Sequence, residues 1–289
     1  MMPVSIVGCG YTGLRLARRL RAEGIAVRGY ATRPQSLEAV AATGAEACAL
    51  DLDREAASSL DVEGRIVQYM VPPAPTGTRD LRLERFLGAL AGRPQRLVYL
   101  GTTGVYGDRG GAPVDEDTPP QPRTARAARR LAAENSVRAW AAARAASWCI
   151  LRVAGIYGPE RLRLDRLRRA EPAIAPAEAT PTNRIHVDDL VEACIVAGRS
   201  ARAAERIVNV ADGNDDSQTA FLMRVARITG LSPPPLISRA EAERTSSAAA
   251  WSFLAESRRV GNRRLVEELG VQLRYRDLDQ GIRASLAEG

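Results

Sequence analysis

Short apolar runs, rich in β-branched residues, alternate with amphipathic stretches along the first half of the chain. This alternation is typical of a parallel sheet whose strands are joined by helices through right-handed crossovers. Strands are expected at 3–8, 25–31, 45–49, 65–71, 96–102 and 149–153. Helices, with apolar residues at helical spacing, are expected at 14–21, 35–42, 79–90 and 123–145. The pattern predicts an α/β fold built on a doubly wound parallel sheet.

The alternation of strand-like and helix-like segments stops after Tyr157-Gly158-Pro159. An Arg/Leu helix (161–169) and a Pro/Ala-rich stretch (171–181) follow, which indicate the start of a smaller part of the chain. A later strand and two helices indicate that the chain re-enters the first part at about 186–212; these elements are expected at 206–210, 188–197 and 217–229. The small residues of Ser246–Ala250 predict a mobile loop.

The glycine turn Gly8-Cys9-Gly10-Tyr11-Thr12-Gly13 follows the first predicted strand and opens the first helix. In this setting Gly8 permits a tight turn, Gly10 lets the backbone approach a pyrophosphate, and Gly13 lets helix and strand pack closely. The first helical turn, with Tyr11 and Thr12, presents free amides to the phosphates. A turn that merely needs small residues is the competing interpretation. We predict a Rossmann-type NAD(P)-binding domain over 1–156 and a smaller substrate-binding part over 157–289.

The end of the second predicted strand distinguishes NADP from NAD. NAD-binding folds place an acid there to hold the ribose hydroxyls, whereas this chain has Tyr30-Ala31-Thr32-Arg33. Arg33 can pair with a 2′-phosphate, so we expect NADP, with NAD as the alternative. A solvated loop arginine would look the same in the sequence. Further on, Asp51-Leu52-Asp53 can accept a hydrogen bond from the adenine amino group or cap the next helix.

The composition excludes several chemistries. All 41 basic residues are arginine, so a lysine Schiff base and a Walker-type lysine are impossible. His186 is the single histidine, which rules out a multi-histidine metal site, and we expect no bound metal. The four cysteines lie far apart in apolar segments and are expected to be reduced and structural.

Charge and hydropathy bound the partners and the location. The net charge of +7 comes from scattered arginines, so a nucleic-acid partner is not expected. No apolar run approaches the roughly 20 residues of a membrane span. The chain enters a strand-like run at once, without a signal sequence, which favours a soluble cytoplasmic protein that binds a small molecule.

From Gly8 to its C-terminal segment the sequence resembles the extended short-chain dehydrogenase/reductase superfamily, the nucleotide-sugar epimerases and dehydratases. The resemblance covers nearly the whole chain. Besides the glycine turn and Asp51-Leu52-Asp53, it rests on three segments: Tyr99 to Gly107, Leu151-Arg152 with Ile156 to Pro159, and Asn183 to Leu190. It implies a nicotinamide cofactor and pairing of two copies through the helix that carries Arg126.

The resemblance implies a Ser/Thr at the end of the fifth strand, and a Tyr and a Lys four residues apart on the next helix. Thr102 occupies the Ser/Thr position and is expected to touch cofactor and substrate. Arg126 stands at the tyrosine position, with Arg130 in place of the lysine. An arginine stays protonated at any usable pH and cannot exchange protons with a substrate. We therefore expect an atypical active site.

Other groups can replace the missing acid. Tyr106 and Tyr157 are predicted to border the cleft next to Thr102 and Thr103, although for Tyr106 packing is the alternative. Arg126 and Arg130 form either an anion clamp or a solvated face. The remaining polar candidates have simpler interpretations: the acidic run Asp115-Glu116-Asp117 is expected to be solvated, and His186 structural.

Two functions fit these observations. The first is an NADP-dependent oxidoreductase or epimerase/dehydratase that acts on a carbonyl or nucleotide-sugar-like substrate, with Thr102, and Tyr106 as a second candidate, at the catalytic centre. The second is a nucleotide-binding regulatory or sensor protein without turnover. Nucleic-acid binding through the basic surface is a weaker third hypothesis.

Overall fold

A seven-stranded parallel sheet forms the centre of the computed structural model, which describes residues 2–54 and 59–288. The sheet order is β7-β6-β5-β4-β1-β2-β3. The strands are β1 (Val4–Val7), β2 (Val27–Ala31), β3 (Glu46–Ala49), β4 (Ile66–Tyr69), β5 (Arg96–Thr102), β6 (Trp148–Val153) and β7 (Arg206–Val210). The chain reverses direction across the sheet between β1 and β4, which opens a crevice at their carboxyl ends. The predicted doubly wound α/β fold is confirmed.

Ten α-helices accompany the sheet in the part of the chain that the structure describes. They are α1 (Tyr11–Ala22), α2 (Pro34–Ala41), α3 (Leu81–Ala89), α4 (Ala125–Arg144), α5 (Leu164–Arg168), α6 (Val187–Arg199), α7 (Gln218–Thr229), α8 (Arg239–Thr245), α9 (Ala248–Leu254) and α10 (Leu278–Ala287). None of the described helices is long and apolar enough to cross a membrane.

Both faces of the sheet are buried. Helices α1, α2 and α6 pack against the face that carries Ile6 and Val98, whereas α3 and α4 pack against the face that carries Val7 and Tyr99. Neighbouring strand residues point to opposite faces, so an all-parallel sheet needs apolar residues at both. This explains why its strands read as nearly continuous apolar runs.

The second half of the chain adds short elements around the sheet. Strand β7 pairs with β6 although it lies beyond residue 157, near which the alternation stops. A separate apolar cluster joins α5, α7 and α10 through Leu167, Phe221 and Ile282. Four short parallel pairs complete the fold: 60–61 with 90–91, 113–114 with 259–260, 155–157 with 184–186, and 173–174 with 236–237. The division of the chain at residue 157 stays a prediction.

The loop predicted at Ser246–Ala250 is wrong from Ala248 onward, where α9 begins. The Ser247 hydroxyl accepts a hydrogen bond from the Ala250 amide and caps the helix. Alanine is the strongest helix former and serine a preferred cap, so the small residues that indicated a loop start a helix instead.

Candidate functional site

The glycine turn joins β1 to α1 and leaves space for a ligand at one position. Gly8 has φ of +85°, and a Cβ there would lie 2.8 Å from the Val71 amide nitrogen. A Cβ on Gly13 would lie 3.1 Å from the Ile6 side chain, so this glycine serves helix–strand packing. A Cβ on Gly10 would meet no atom within 4 Å. The open side of the turn therefore faces a space in which a pyrophosphate fits against the N-terminus of α1.

A cavity of about 450 Å³ extends from the glycine turn toward the ends of β2 and β3. Five of the predicted cofactor residues line it: Gly8, Gly10, Arg33, Asp51 and Leu52. Tyr30, Asp53, Pro72 and Arg82 complete much of the wall. Its position at the carboxyl ends of β1, β2 and β3 is where parallel sheets of this topology bind dinucleotides. The described residues thus fit such a cofactor.

The charges of the cavity are paired except at Arg33. Both carboxylate oxygens of Asp53 accept from Arg82, at 2.6 and 2.7 Å, and this guanidinium holds the pKa of Asp53 below its usual range. Asp51 accepts from the Asp53 amide at 3.0 Å and lies 3.3 Å from the Arg54 guanidinium. Arg33 is exposed at the end of β2 and makes no ion pair with any described residue. It is the cation that remains available to a phosphate.

Tyr11 ties the glycine turn to the second half of the chain. Its hydroxyl donates to the Pro159 carbonyl at 2.8 Å. Its ring lies between two guanidiniums, 4.0 Å from Arg15 and 3.7 Å from Arg161. The next residue, Thr12, is buried. The first turn of α1 is thereby fixed by contacts beyond residue 157.

His186 caps α6 in a buried, uncharged form. Its Nδ1 accepts from the Asp188 amide at 3.2 Å, so the proton is on Nε2, which lies 3.1 Å from the Ser285 hydroxyl. Burial, together with the cations of Arg15 and Arg274, lowers the pKa of His186 to about 4. This environment fits the structural role expected from the sequence.

The two tyrosines proposed as replacement acids are both buried. Tyr106 is fully buried, and its hydroxyl donates to Asn209 Oδ1 at 2.7 Å. Tyr157 packs edge-on against His186, and a Cβ on Gly281 of α10 would lie 2.2 Å from its hydroxyl oxygen. Burial raises the pKa of both phenols. Neither phenol is presented to solvent as an acid or base.

Thr102 ends β5, and Arg130 contacts the same end of the strand. The Thr102 hydroxyl is half-buried and accepts from the Gly104 amide at 3.1 Å, which leaves its own proton free to donate. Arg130 on α4 donates through Nη1 to the Tyr99 hydroxyl at 3.1 Å, and its Nη2 lies 3.5 Å from the Gly101 carbonyl. A hydroxyl donor and a cation are thus both found at the end of β5, the edge of the sheet at which substrates bind in this topology.

Arg126, one turn earlier on α4, has a different environment. Its guanidinium carbon lies 3.5 Å from the centre of the Phe253 ring on α9. Burial lowers the pKa of Arg126 from its ordinary value, although arginine stays charged. The two arginines of the predicted pair therefore contact different parts of the protein.

Several polar groups near the site were not found by sequence reasoning. Glu134 of α4 and Arg152 of β6 form an ion pair at 2.8 Å with side chains 2% and 3% exposed. Glu116, expected to be solvated with its acidic neighbours, instead accepts from the Asn209 amide at 2.9 Å. The contact between Phe253 and Arg126 spans more than 120 residues. No local pattern in the sequence signals these pairs.

The thiols and the possible metal ligands supply no further chemistry. All four cysteines are free, and burial raises the pKa of Cys9 in the glycine turn to about 12. Within residues 2–54 and 59–288, no three His, Cys, Asp or Glu side chains come close enough together to hold a metal ion.

Comparisons with known proteins agree with this architecture. Protein YeeZ of Escherichia coli K12 is 28% identical over 288 residues, which cover 96% of this chain and 97% of YeeZ. A functionally unknown conserved protein from Silicibacter pomeroyi DSS superposes with a TM-score of 0.81 at 30% identity, covering 100% of this chain and 99% of its own. UDP-glucuronic acid 4-epimerase from Bacillus cereus, solved with UDP-glucuronic acid and NAD, gives a TM-score of 0.75. It covers 99% of this chain and 98% of its own at 16% identity, and shares the fold.

A family model assigns the chain. The model described as "NAD dependent epimerase/dehydratase family" matches residues 4–211, well over half of the sequence. The matched range begins in β1 and ends just after β7, so it includes the glycine turn, Thr102 and α4. The resemblance that the sequence motifs indicated is confirmed. The chain belongs to the NAD-dependent epimerase/dehydratase family.

Proposed function

We propose that this protein binds NADP in the cavity at the glycine turn and acts as an oxidoreductase or epimerase/dehydratase on a carbonyl or nucleotide-sugar-like substrate. The observation that carries the proposal is the combination of open space at Gly10 with Arg33 at the end of β2, which makes no ion pair with the residues that the structure describes. The backbone amides of an open turn donate hydrogen bonds to a pyrophosphate, and an available guanidinium donates to a 2′-phosphate.

We assign one set of residues to the cofactor and Thr102 to the substrate. Gly8, Gly10 and Gly13 shape the pyrophosphate site, with Tyr11 and Thr12 in the first turn of α1. Arg33 holds the 2′-phosphate, and Asp51 with the Leu52 backbone borders the adenine. The nicotinamide supplies the ability to accept or return a hydride. At the other end, Thr102 donates a hydrogen bond to the reacting oxygen of the substrate.

Charge stabilisation replaces proton exchange at the usual acid position. Arg130 lies against the end of β5, near Thr102, and a guanidinium there stabilises negative charge that develops on a substrate oxygen. Because neither Arg126 nor Arg130 releases a proton, we propose that the proton is exchanged with water. We assign Tyr106 a packing role, since its hydroxyl is bound to Asn209.

Calorimetric titration with NADP and NAD tests the cofactor assignment. We expect NADP to bind about tenfold more tightly than NAD, and Arg33→Ala to remove that preference without weakening NAD. Arg19→Ala, on the exposed side of α1, is the matched charge control and should leave both affinities unchanged. Equal binding of NAD and NADP, with no effect of Arg33→Ala, would contradict the assignment.

A nucleotide-binding protein without turnover is the second candidate. It is favoured by the burial of Tyr106, Tyr157 and His186, which keeps all three candidate acids or bases away from solvent. NADPH absorbance with a panel of carbonyl compounds, together with chromatography of a panel of nucleotide sugars incubated with protein and cofactor, separates the two functions. An oxidoreductase oxidises NADPH, and an epimerase or dehydratase converts a nucleotide sugar without a net change in the cofactor; Thr102→Val should slow either reaction by about tenfold or more, whereas a sensor binds NADPH and converts nothing.

A further inference from the structure

Arg126 is a partly buried cation without a carboxylate partner. No ion pair or side-chain hydrogen bond reaches its guanidinium from the residues that the structure describes; its contact is the face of Phe253, 3.5 Å away. Helix α4 begins one residue earlier, at Ala125, and its first turn holds no acidic residue. A cation at the positive end of a helix is disfavoured unless an anion shares the place.

The neighbouring charges do not neutralise it. Arg258 donates to Glu256 at 3.0 Å and to the Gly107 carbonyl at 2.6 Å, while its Nε is buried without a partner. Arg129 is also buried, its Nη atoms bound to the carbonyls of loop 72–79. Glu256 raises the pKa of Arg126, whereas the cations of Arg129 and Arg258 lower it. Glu256 is thus bound to Arg258 through Oε2, its Oε1 is buried without a hydrogen-bond partner, and no hydrogen bond or ion pair among the described residues joins this carboxylate to Arg126.

This cationic group lies next to the reaction site. Arg130, one turn further along α4, contacts the end of β5 at Gly101, beside Thr102. On the other side, Arg258 holds Gly107, which follows the short 3₁₀ helix that begins after Thr102. Arg126 is thus within one helical turn of the arginine that borders Thr102.

Phe253 covers the guanidinium from the outside. Its ring is 63% exposed, and α9, which carries it, has no buried residue. The stack fixes the plane of the guanidinium while leaving its N–H edge free, and that edge matches the two oxygens of a carboxylate or phosphate. A partly buried fork of donors, held by the ring and without an acceptor among the described residues, fits an acidic ligand.

We propose that the substrate carries an acidic group, a carboxylate or a phosphate, and that Arg126, supported by Phe253 and Arg258, binds it. The inference rests on the proposed function for the neighbouring cofactor. It gives the residue at the expected tyrosine position a task in recognition, and it makes the preferred substrate an anion beyond the charge of the cofactor.

Calorimetric titration with inorganic phosphate and with malonate, in the absence and presence of NADPH, tests the proposal. We expect millimolar binding of at least one probe to the wild type and a loss of about tenfold or more in Arg126→Ala. Arg126→Lys should bind with intermediate affinity, because it keeps the charge but loses the fork. The probe that binds more tightly distinguishes a phosphate from a carboxylate.

Arg123→Ala is the matched control, since it removes an exposed arginine three residues earlier that already faces Asp108 at 3.6 Å. It should change the affinity by less than about twofold. Three outcomes overturn the proposal: no binding of either probe, equal binding by Arg126→Ala, or equal losses in both variants. If Arg126→Ala weakens NADPH itself, the arginine belongs to the cofactor site and the proposal also fails.

The same titrations separate this proposal from the cofactor assignment. Failure of the wild type to bind NADPH would contradict the proposed function while anion binding to the cofactor-free protein still reports on Arg126. Normal NADPH binding without anion binding would contradict only the acidic substrate. Melting temperatures of all variants check that each is folded.

Discussion

The glycine turn between β1 and α1 differs from the N-terminal half of α4 in the atoms that it offers to a ligand. The turn is made of backbone: Gly8 and Gly13 provide close contacts, and Gly10 provides open space. The start of α4 is made of charged side chains, and the contacts of Arg126 come from Phe253, far along the chain. A pyrophosphate is the same group in every dinucleotide, so the backbone shape of the turn is enough to bind it. Substrates differ from one protein to another, so a substrate site depends on side chains, which can be replaced.

The two regions also treat buried charge differently. Near the turn, burial keeps titratable groups neutral: the pKa of Cys9 is about 12 and that of His186 about 4. Along α4 the buried or partly buried groups are charged. Glu134 forms an ion pair with Arg152, and Arg126 packs against an aromatic ring. The proposed pyrophosphate site at the turn therefore relies on amides and the helix dipole, and the proposed anion site on α4 relies on guanidinium groups.

The largest effect should come from the buried ion pair that holds α4 to the sheet. Glu134→Gln leaves Arg152 buried without a counter-charge and should lower the free energy of unfolding by about 3–5 kcal/mol. The matched change at the end of α1, Glu23→Gln, breaks exposed pairs with Arg19 and Arg199 and should cost less than about 1 kcal/mol. Urea denaturation measures both. Equal losses would contradict the expectation that the buried pair contributes more to stability than the exposed ones.

Lowering the pH should reduce the free energy of unfolding, because His186 is buried in its neutral form. Because the folded pKa of His186 is about 4, the unfolded state binds its proton first as the pH falls through the window from 6.5 to 4. Stability is lost across that window, by about 2–3 kcal/mol between pH 7.5 and 4.5. The measurement is the difference in unfolding free energy between these pH values for the wild type and His186→Gln.

The comparison with His186→Gln isolates the histidine from other groups. Burial raises the pKa of Asp212 to about 7, so this carboxyl protonates in the folded state first and adds stability as the pH falls. It is present in both proteins and cancels in the difference. If the two proteins lose the same stability, the histidine is charged in the fold and the region is not neutral.

The smallest expected effects on stability are those of alanine substitutions at Gly8 and Gly10, and they should differ between the two positions. Gly8→Ala forces a side chain into a conformation with φ of +85° against Val71, and should lower the unfolding free energy by about 1–3 kcal/mol. Gly10→Ala meets open space, so it should change stability by less than about 1 kcal/mol. Its Cβ instead enters the proposed pyrophosphate site and should weaken NADP by about tenfold. Unchanged affinity in the stable Gly10→Ala variant would place the phosphates elsewhere.

The fold and the position of the glycine turn could be predicted because their signals are local. The strands were recognised as apolar runs, and a parallel sheet buries both faces of each strand. The glycines reveal their position because a turn between strand and helix admits few other residues. The same local reasoning failed at Ser246–Ala250, where a serine cap and an alanine run were interpreted as a loop.

The candidate catalytic groups could not be ranked from the sequence. Tyr106 and Tyr157 were expected near the cleft, but exposure of a phenol depends on packing partners, and those partners are Asn209 and Gly281, more than 100 residues away. The same holds for Glu116, which the acidic run predicted to be solvated and which binds the Asn209 amide. Sequence position gives the residue type at a site but not its burial.

By itself the sequence determined the order of strands and helices, the glycine turn, the absence of lysine and the presence of Arg126 on α4. These are properties of the covalent chain and of periodicities shorter than one helix. Only the tertiary structure decided which charges are paired, which phenols are buried and that Arg126 lies against Phe253 without a carboxylate. The reason is that pairing and desolvation depend on segments brought together by folding, and electrostatic free energies depend on those distances and on the exclusion of water.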